Sequence, residues 1–241
     1  MTTKRIFDLT ASSLGLCLSL PFMGIIALLV KLSSSGPVLF QQDRVGLGGR
    51  VFRIYKFRTM VDRAERMGTS VTARNDPRIT ATGRILRKVK LDELPQLINV
   101  IKGDMSLVGP RPDVPDVLKN LNPETRRIFQ IRPGITSLAT LHLKDEEDVL
   151  SKAYNPDSFY EQALLPLKLK LAMEHVDRDS FIFDLKILLQ TVWMITPFGK
   201  LCPIKEHPAI RQLKYRLYQE SDNSPQKIEQ CTHLEIPVAS S

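Results

Sequence analysis

Asp92 and Glu93 are adjacent carboxylates just ahead of Pro95, in the stretch Lys90 to Pro112, KLDELPQLINVIKGDMSLVGPRP. Leu91, Leu94, Leu97, Ile98 and Ile101 follow a helical spacing, and proline is tolerated only in a helix's first turn. This predicts that both carboxylates stand at or beside a helix N-terminus, whose field favours ionised carboxylates and phosphate. An ionised Asp beside phosphate is a candidate nucleophile. The stretch ends in Gly109-Pro110-Arg111-Pro112, where each proline stiffens the residue before it. A guanidinium held so can grip phosphate oxygens in bidentate fashion. Arg132, also before a proline, has the same design, and Lys56 and Arg58 close an alternating basic and apolar segment. These four cations are candidate phosphate ligands. The same residues also fit an acidic cap on an ordinary amphipathic helix followed by a Pro-rich turn.

The chain has 241 residues without visible repeats, enough for one sizeable domain with appendages. Its formal charge is +8, from 34 basic and 26 acidic residues. Residues 42–111 carry 15 Lys and Arg against 7 Asp and Glu, so the whole excess lies there. That concentration predicts a polyanionic partner: nucleotide, phospholipid surface or nucleic acid. A membrane-tethered nucleic-acid-binding protein is the rival reading. Against it, no recognition helix or RNA-binding motif is visible, and the two carboxylates would repel phosphodiester without a metal. Cys17, Cys202 and Cys231 are scattered and lack metal or disulfide spacing, which predicts a reducing cytoplasm around the globular part.

Leu9 to Val30 contains no charged residue, and a straight helix of that length reaches roughly 33 Å, about the thickness of a bilayer's hydrocarbon core. It could span the membrane. It could also break at Pro21 and leave by the face it entered, since Lys4-Arg5 and Lys31 put positive charge at both ends. Val38 to Met60 predicts two strands around Gly46-Leu47-Gly48-Gly49. Asp62 to Gly68 reads as a short charged helix, Gly83 to Val89 as a basic one, and Val114 to Gln130 as another helix; Ile131 to Thr136 reads as a turn leading to a strand. The acidic run Asp145 to Asp148 reads as a solvated helix start, and Phe159 to Arg178 as a helix. Phe181 to Ile195 reads as an apolar helix suited to the core or a lipid interface. His142 and His175 lack metal-spaced partners. From Gln219 the chain is polar, which predicts a loose tail.

Several strings belong to one pattern: Lys4-Arg5-Ile6-Phe7-Asp8 before an apolar segment, Tyr55-Lys56-Phe57-Arg58-Thr59-Met60, and Asp76-Pro77-Arg78-Ile79-Thr80 with Gly83-Arg84 and Leu86-Arg87. Leu91-Asp92-Glu93-Leu94-Pro95-Gln96-Leu97, Lys102 to Pro112 and Arg132-Pro133-Gly134-Ile135-Thr136 complete it. From about Lys4 to Phe198 the chain resembles the bacterial sugar transferase family, the monotopic phosphoglycosyl transferases. The resemblance implies an enzyme that moves a sugar-1-phosphate from a UDP-sugar to undecaprenyl phosphate, releases UMP and uses Mg²⁺. It implies Asp92 as the nucleophile of a covalent phosphosugar intermediate and as a metal ligand, with Glu93 as its catalytic partner. Lys56, Arg58, Arg111 and Arg132 would hold phosphates.

The fold expected is α/β, mainly α: residues 1–32 as a membrane-embedded helix broken at Pro21, 33–200 as a cytosolic catalytic domain with interfacial amphipathic helices, and 201–241 as a polar, partly disordered extension. The resemblance implies a place on the cytoplasmic face of the bacterial inner membrane, against its lipid, with no nucleic acid partner; it leaves homo-oligomerisation and an inactive scaffold open. Two departures stand out. The family's Ser-Pro helix break is Leu20-Pro21 here, with Ser19 one place early, and Ser137-Leu138-Ala139-Thr140 replaces the Gly-Trp-Ala-Gln of many members. The sugar cannot be carried over, because recognition is expected to lie after Thr136.

Overall fold

The computed structural model describes residues 2–68, 71–72, 76–119, 121–143, 146–196 and 207–213. It is mainly helical with two small sheets. Helix α1, Thr3–Ser33, starts at Thr2, whose hydroxyl accepts from the Arg5 N–H. It stays helical through Pro21. A proline removes one helical hydrogen bond, and the turns on either side carry the helix across that loss.

Both ends of α1 are fastened to the same globular body. At the start, Arg5 donates to the carbonyls of Val100 (2.8 Å) and Ile101 (3.3 Å). Asp8, buried, accepts from Ser106 Oγ at 2.8 Å and from the Leu107 N–H at 3.1 Å. At the far end Ile26 and Val30 are buried with Phe57 and Leu86. Between and around these anchors Leu14, Leu18, Phe22, Ile25 and Leu28 face outward. Among the described residues α1 is the one helix long and apolar enough to cross a membrane.

Strands β1, Leu39–Val45, and β2, Val51–Phe57, form the expected antiparallel hairpin, with Asp43 opposite Arg53. Its turn needs glycine, because Gly48 and Gly49 take φ of 65° and 76°. Asp62 to Gly68 holds only a 3-10 turn at Ala64–Arg66. Helix α2, Ala81–Lys88, starts at Thr80, whose hydroxyl accepts from the Gly83 N–H at 2.9 Å. Gly83 lies so close to the end of β2 that a Cβ there would stand 1.9 Å from the Thr59 carbonyl oxygen. Backbone cannot yield as a side chain can, so Gly83→Ala should lower unfolding stability by about 2–3 kcal/mol. Urea unfolding checks this, and an unchanged midpoint would contradict the close approach.

Helix α3, Gln96–Lys102, leads through Gly103 to β3, Ser106–Val108, which pairs in parallel with β4, Gly134–Thr136. The helix expected over Val114 to Gln130 is instead two 3-10 turns, Pro115–Leu118 and Thr125–Gln130. Pro115 and Pro123 explain the difference, since each removes a donor and disfavours helix in the residue before it. Helices α4, Leu138–His142, α5, Glu146–Ser151, and α6, Pro156–Phe159, follow. A π-turn at Tyr160–Leu164 then enters α7, Leu165–Asp177, and α8 is Phe181–Ile195.

The main core joins Val108, Leu138, Leu150, Leu164, Leu171 and Ile187. Ile210 is fully buried in it. Residues 207–213, within the extension expected from residue 201, pack with the domain; residues 197–206 and 214–241 lie outside the described residues. Helix α8 buries Asp184 and Ile187 yet exposes Ile182, Leu189 and Val192, and α2 exposes Ile85.

Candidate active site

The chain approaches the carboxylates through a strained residue. Lys90, two residues past the end of α2, has a left-handed backbone (φ 59°, ψ 20°), and Leu91–Glu93 then form one 3-10 turn ahead of Pro95 and α3. Asp92 and Glu93 thus precede the helix by a turn rather than occupying its first turn. The amides of Glu93 and Leu94 are directed at the carbonyls of Lys90 and Leu91. Asn99 locks α3 to β2 from below: its Oδ1 accepts from the Tyr55 N–H at 3.0 Å and its Nδ2 donates to the Arg53 carbonyl at 2.7 Å. That register sets Lys56, on the next turn of the pleat, against Glu93.

Lys56 Nζ and Arg111 Nη2 both meet Glu93 Oε1, each at 2.8 Å. Arg111 is carried there by the loop after β3. The loop is clamped by the Gly109 N–H on the Thr136 carbonyl (3.1 Å) and the Gly134 N–H on the Pro110 carbonyl (2.9 Å). A Cβ on Gly109 would stand 2.3 Å from the Arg132 carbonyl oxygen, so glycine is what lets these backbones meet. Burial alone would push the Glu93 carboxyl up; the Arg111 guanidinium, then the Lys56 ammonium, overcome this and hold it well below the usual carboxylate range. Glu93 in turn raises Arg111. Lys56 is lowered, because burial outweighs the pull of Glu93.

Asp92 is the opposite case. It is 8 % exposed, and its Oδ1 is buried with no hydrogen-bond partner. Burial, and then the charge of Glu93, raise its carboxyl above the usual value, opposed by Lys56, Lys90 and Arg87. Desolvation, rather than the field of a helix terminus, is the largest influence on this group. One carboxylate is saturated with cations and its neighbour is left bare. A desolvated carboxylate short of hydrogen bonds is a competent nucleophile or ligand for a cation.

The other two expected phosphate ligands each donate to a backbone carbonyl. Arg58 is buried and donates from Nη2 to the Ser34 carbonyl at 2.8 Å, pinning the turn after α1. Its guanidinium fills the space beside Gly36, whose φ of 106° only glycine takes easily. Arg132 Nε donates to the Gly103 carbonyl at 3.0 Å, at the C-terminal end of α3. Its neighbouring charge is Arg5. A cation at a helix C-terminus caps orphan carbonyls, which the Arg-Pro spacing alone does not distinguish from phosphate binding.

Three nearby groups escape sequence reasoning. Gln96, four residues after Asp92, is buried with an unpartnered Nε2. Arg87 bears on Asp92 while its Nε donates to Glu147 at 3.0 Å. Glu146 pairs with Lys168 at 2.6 Å. The acidic run therefore has two members tied into the domain rather than solvated; Asp145 lies outside the described residues. The i, i+4 spacing of Asp92 and Gln96 was the signal available. Among the described residues the cluster closest to metal-binding geometry is His175, Asp179 and Asp184, which does not include Asp92. Lys4 Nζ pairs with Asp184 and stands 3.8 Å from Asp179, so an ammonium already supplies positive charge there.

Residues 1–197 match the model of a family described as bacterial sugar transferase. The chain is 40% identical over 192 residues to EpsL of Bacillus subtilis, an uncharacterized sugar transferase, covering 80% of this chain and 86% of that one. It is 39% identical over 193 residues to the UDP-glucose:undecaprenyl-phosphate glucose-1-phosphate transferase of Caulobacter vibrioides, covering 78% and 68%. It is 45% identical over 141 residues to the UDP-N-acetylgalactosamine-undecaprenyl-phosphate N-acetylgalactosaminephosphotransferase of Aeromonas hydrophila, covering 56% of this chain and 33% of that longer one.

Proposed function

The chain belongs to the bacterial sugar transferase family, and from that premise we propose that it transfers a sugar-1-phosphate from a UDP-sugar to undecaprenyl phosphate, releasing UMP, as the first step of a glycan assembly pathway. The observation that carries this reading is the bare, buried Oδ1 of Asp92 beside a Glu93 already saturated by Lys56 and Arg111.

In the first half-reaction an Asp92 oxygen attacks the sugar-bearing phosphorus of the donor. The Asp92–phosphorus bond forms as the bond to the bridging oxygen breaks, and UMP leaves with that electron pair. In the second, an oxygen of the acceptor phosphate attacks the same phosphorus, forms the pyrophosphate link and returns the Asp92 carboxylate. Splitting one exchange into two displacements lowers each barrier. Arg111 and Lys56 hold Glu93 ionised and stand ready to meet incoming phosphate charge. By holding Lys56 and Arg111 in place, Glu93 would help orient the acceptor phosphate. Mg²⁺ fits this donor set, because the unpartnered Asp92 Oδ1 is a hard oxygen. When bound, the ion would offset the charge of the donor's pyrophosphate.

We place the domain on the cytoplasmic face of the inner membrane. A straight span would carry one end of α1 about 30 Å from the domain, whereas both ends of α1 are bonded or packed to one body. This supports entry from a single face, with α8 and the exposed edge of α2 at the lipid interface.

The test is to incubate the purified chain with undecaprenyl phosphate and a panel of UDP-sugars and to measure UMP. At least one donor should give acceptor-dependent UMP release; none releasing UMP would favour a scaffold that keeps the fold without the chemistry. The sugar itself is expected to be chosen by the segment after Thr136, where Ser137 caps α4 and Leu138 to Thr140 begin it.

A further inference from the structure

Lys90 and Arg63 are the two non-glycine residues with positive φ among those described. An L-residue is strained in that conformation, and glycine is the usual occupant just past a helix end. The backbone has a clear use for the turn. The Val89 and Lys90 amides close back on Ile85 (3.2 Å) and Arg87 (3.3 Å), and the reversal aims the next residues, with Asp92, into the domain. Glycine would do that without strain, so the lysine side chain has a separate use.

Three cations bear on Asp92: Lys56, Lys90 and Arg87. Lys56 is engaged by Glu93 and Arg87 by Glu147. Lys90 is exposed, and its ammonium makes no hydrogen bond or ion pair among the described residues. It also stands in an apolar setting. Ile85, Val89 and Leu91, exposed on either side of it, continue from α2, which packs through Leu86 on Ile26 and Val30 of α1. An uncommitted cation thus lies between an exposed apolar edge and the bare carboxylate. A ligand with an apolar tail and a phosphate monoester head matches that sequence of surfaces, and a lysine binds such a head as a point charge.

We propose that Lys90 binds the phosphate of the polyprenyl acceptor at the lipid-side lip of the site and guides it toward Asp92. The inference rests on the reaction proposed above. Bulk anionic lipid offers the same phosphate chemistry, so the test separates the two sources.

The full chain, as wild type, Lys90→Gly and Lys90→Arg, is assayed for UMP release in phosphatidylcholine vesicles carrying graded undecaprenyl phosphate, with and without phosphatidylglycerol. Lys90→Gly should raise the KM for undecaprenyl phosphate about ten-fold, the loss of one charge-assisted contact. This should hold in both vesicle types, with the KM for the UDP-sugar unchanged. Its melting temperature should equal or exceed wild type, because glycine relieves the left-handed backbone, and Lys90→Arg should restore most of the acceptor affinity. An unchanged acceptor KM in an otherwise active Lys90→Gly enzyme overturns the inference. So does an equal rise in donor KM, or an effect confined to vesicles with phosphatidylglycerol, which would assign Lys90 to the donor or to bulk lipid. A wild type that releases no UMP from any donor overturns the reaction itself, and this inference with it.

Discussion

Asp92→Asn abolishes UMP release, lowering it at least about 10⁴-fold, and leaves the protein as stable as wild type or more so. The first half follows from removing the attacking oxygen, since losing a covalent nucleophile costs this order of rate. The second follows from the sign of the Asp92 perturbation. Its carboxyl is raised by burial and by Glu93, so the folded state is penalised for holding it ionised at neutral pH. That penalty fades only as pH falls through the raised value. A neutral Asn of similar shape escapes it. UMP release and thermal unfolding, measured on one preparation, check both halves. A dead variant that has also lost its cooperative melt would show damage to the fold rather than to the reaction.

Glu93→Gln has the second large effect, and it reverses the stability sign. Glu93 is the shared anion of Lys56 and Arg111, both within 2.8 Å of one oxygen. Glutamine keeps the volume and leaves two cations side by side. Breaking a buried pair costs 3–5 kcal/mol in general, and Arg111 keeps about a third of its side chain exposed, so about 3 kcal/mol is expected. Activity should fall about 100-fold or more as the two cations lose their positions. The pH dependence gives a signature. The Glu93 carboxyl is depressed in the fold, so its contribution is fully present above the unfolded value near 4.5 and is lost as pH falls through the lower folded value. The stability gap between wild type and Glu93→Gln should therefore be constant around neutrality and shrink only in strongly acidic buffer. Urea unfolding across pH measures it, and a gap that instead closes between pH 6 and 8 would mean that another group carries the effect.

What the sequence made legible was chemistry held in short strings. Lys56 and Arg111 could be picked out as cations near the Asp92-Glu93 dyad, though as phosphate ligands rather than as partners of Glu93, because each lies at the end of a segment whose geometry is local: an alternating strand and a loop stiffened by two prolines. The hairpin and α8 were legible for the same reason, from period and turn residues. Non-local facts were hidden. Nothing in the spacing of Arg132 or Arg58 says that one caps α3 and the other pins the turn after α1, since both need the tertiary positions of Gly103 and Ser34. The parallel β3–β4 pair is three residues a side, too short for a periodic signal. The anchoring of α1 by Asp8 on Ser106 spans 98 positions, and no local rule reaches that far. The division between Glu93 and Asp92 was also invisible. Two adjacent acids look alike in a string, and only the three-dimensional placement of two cations on one of them leaves the other bare.

The most direct test of the central claim is the mass of the protein after mixing with a competent UDP-sugar and no acceptor, with the modified peptide then sequenced. The account predicts a sugar-phosphate adduct on the peptide containing Asp92, formed together with UMP and discharged when undecaprenyl phosphate is added. An active enzyme that gives no adduct and releases UMP only when both substrates are present would contradict it.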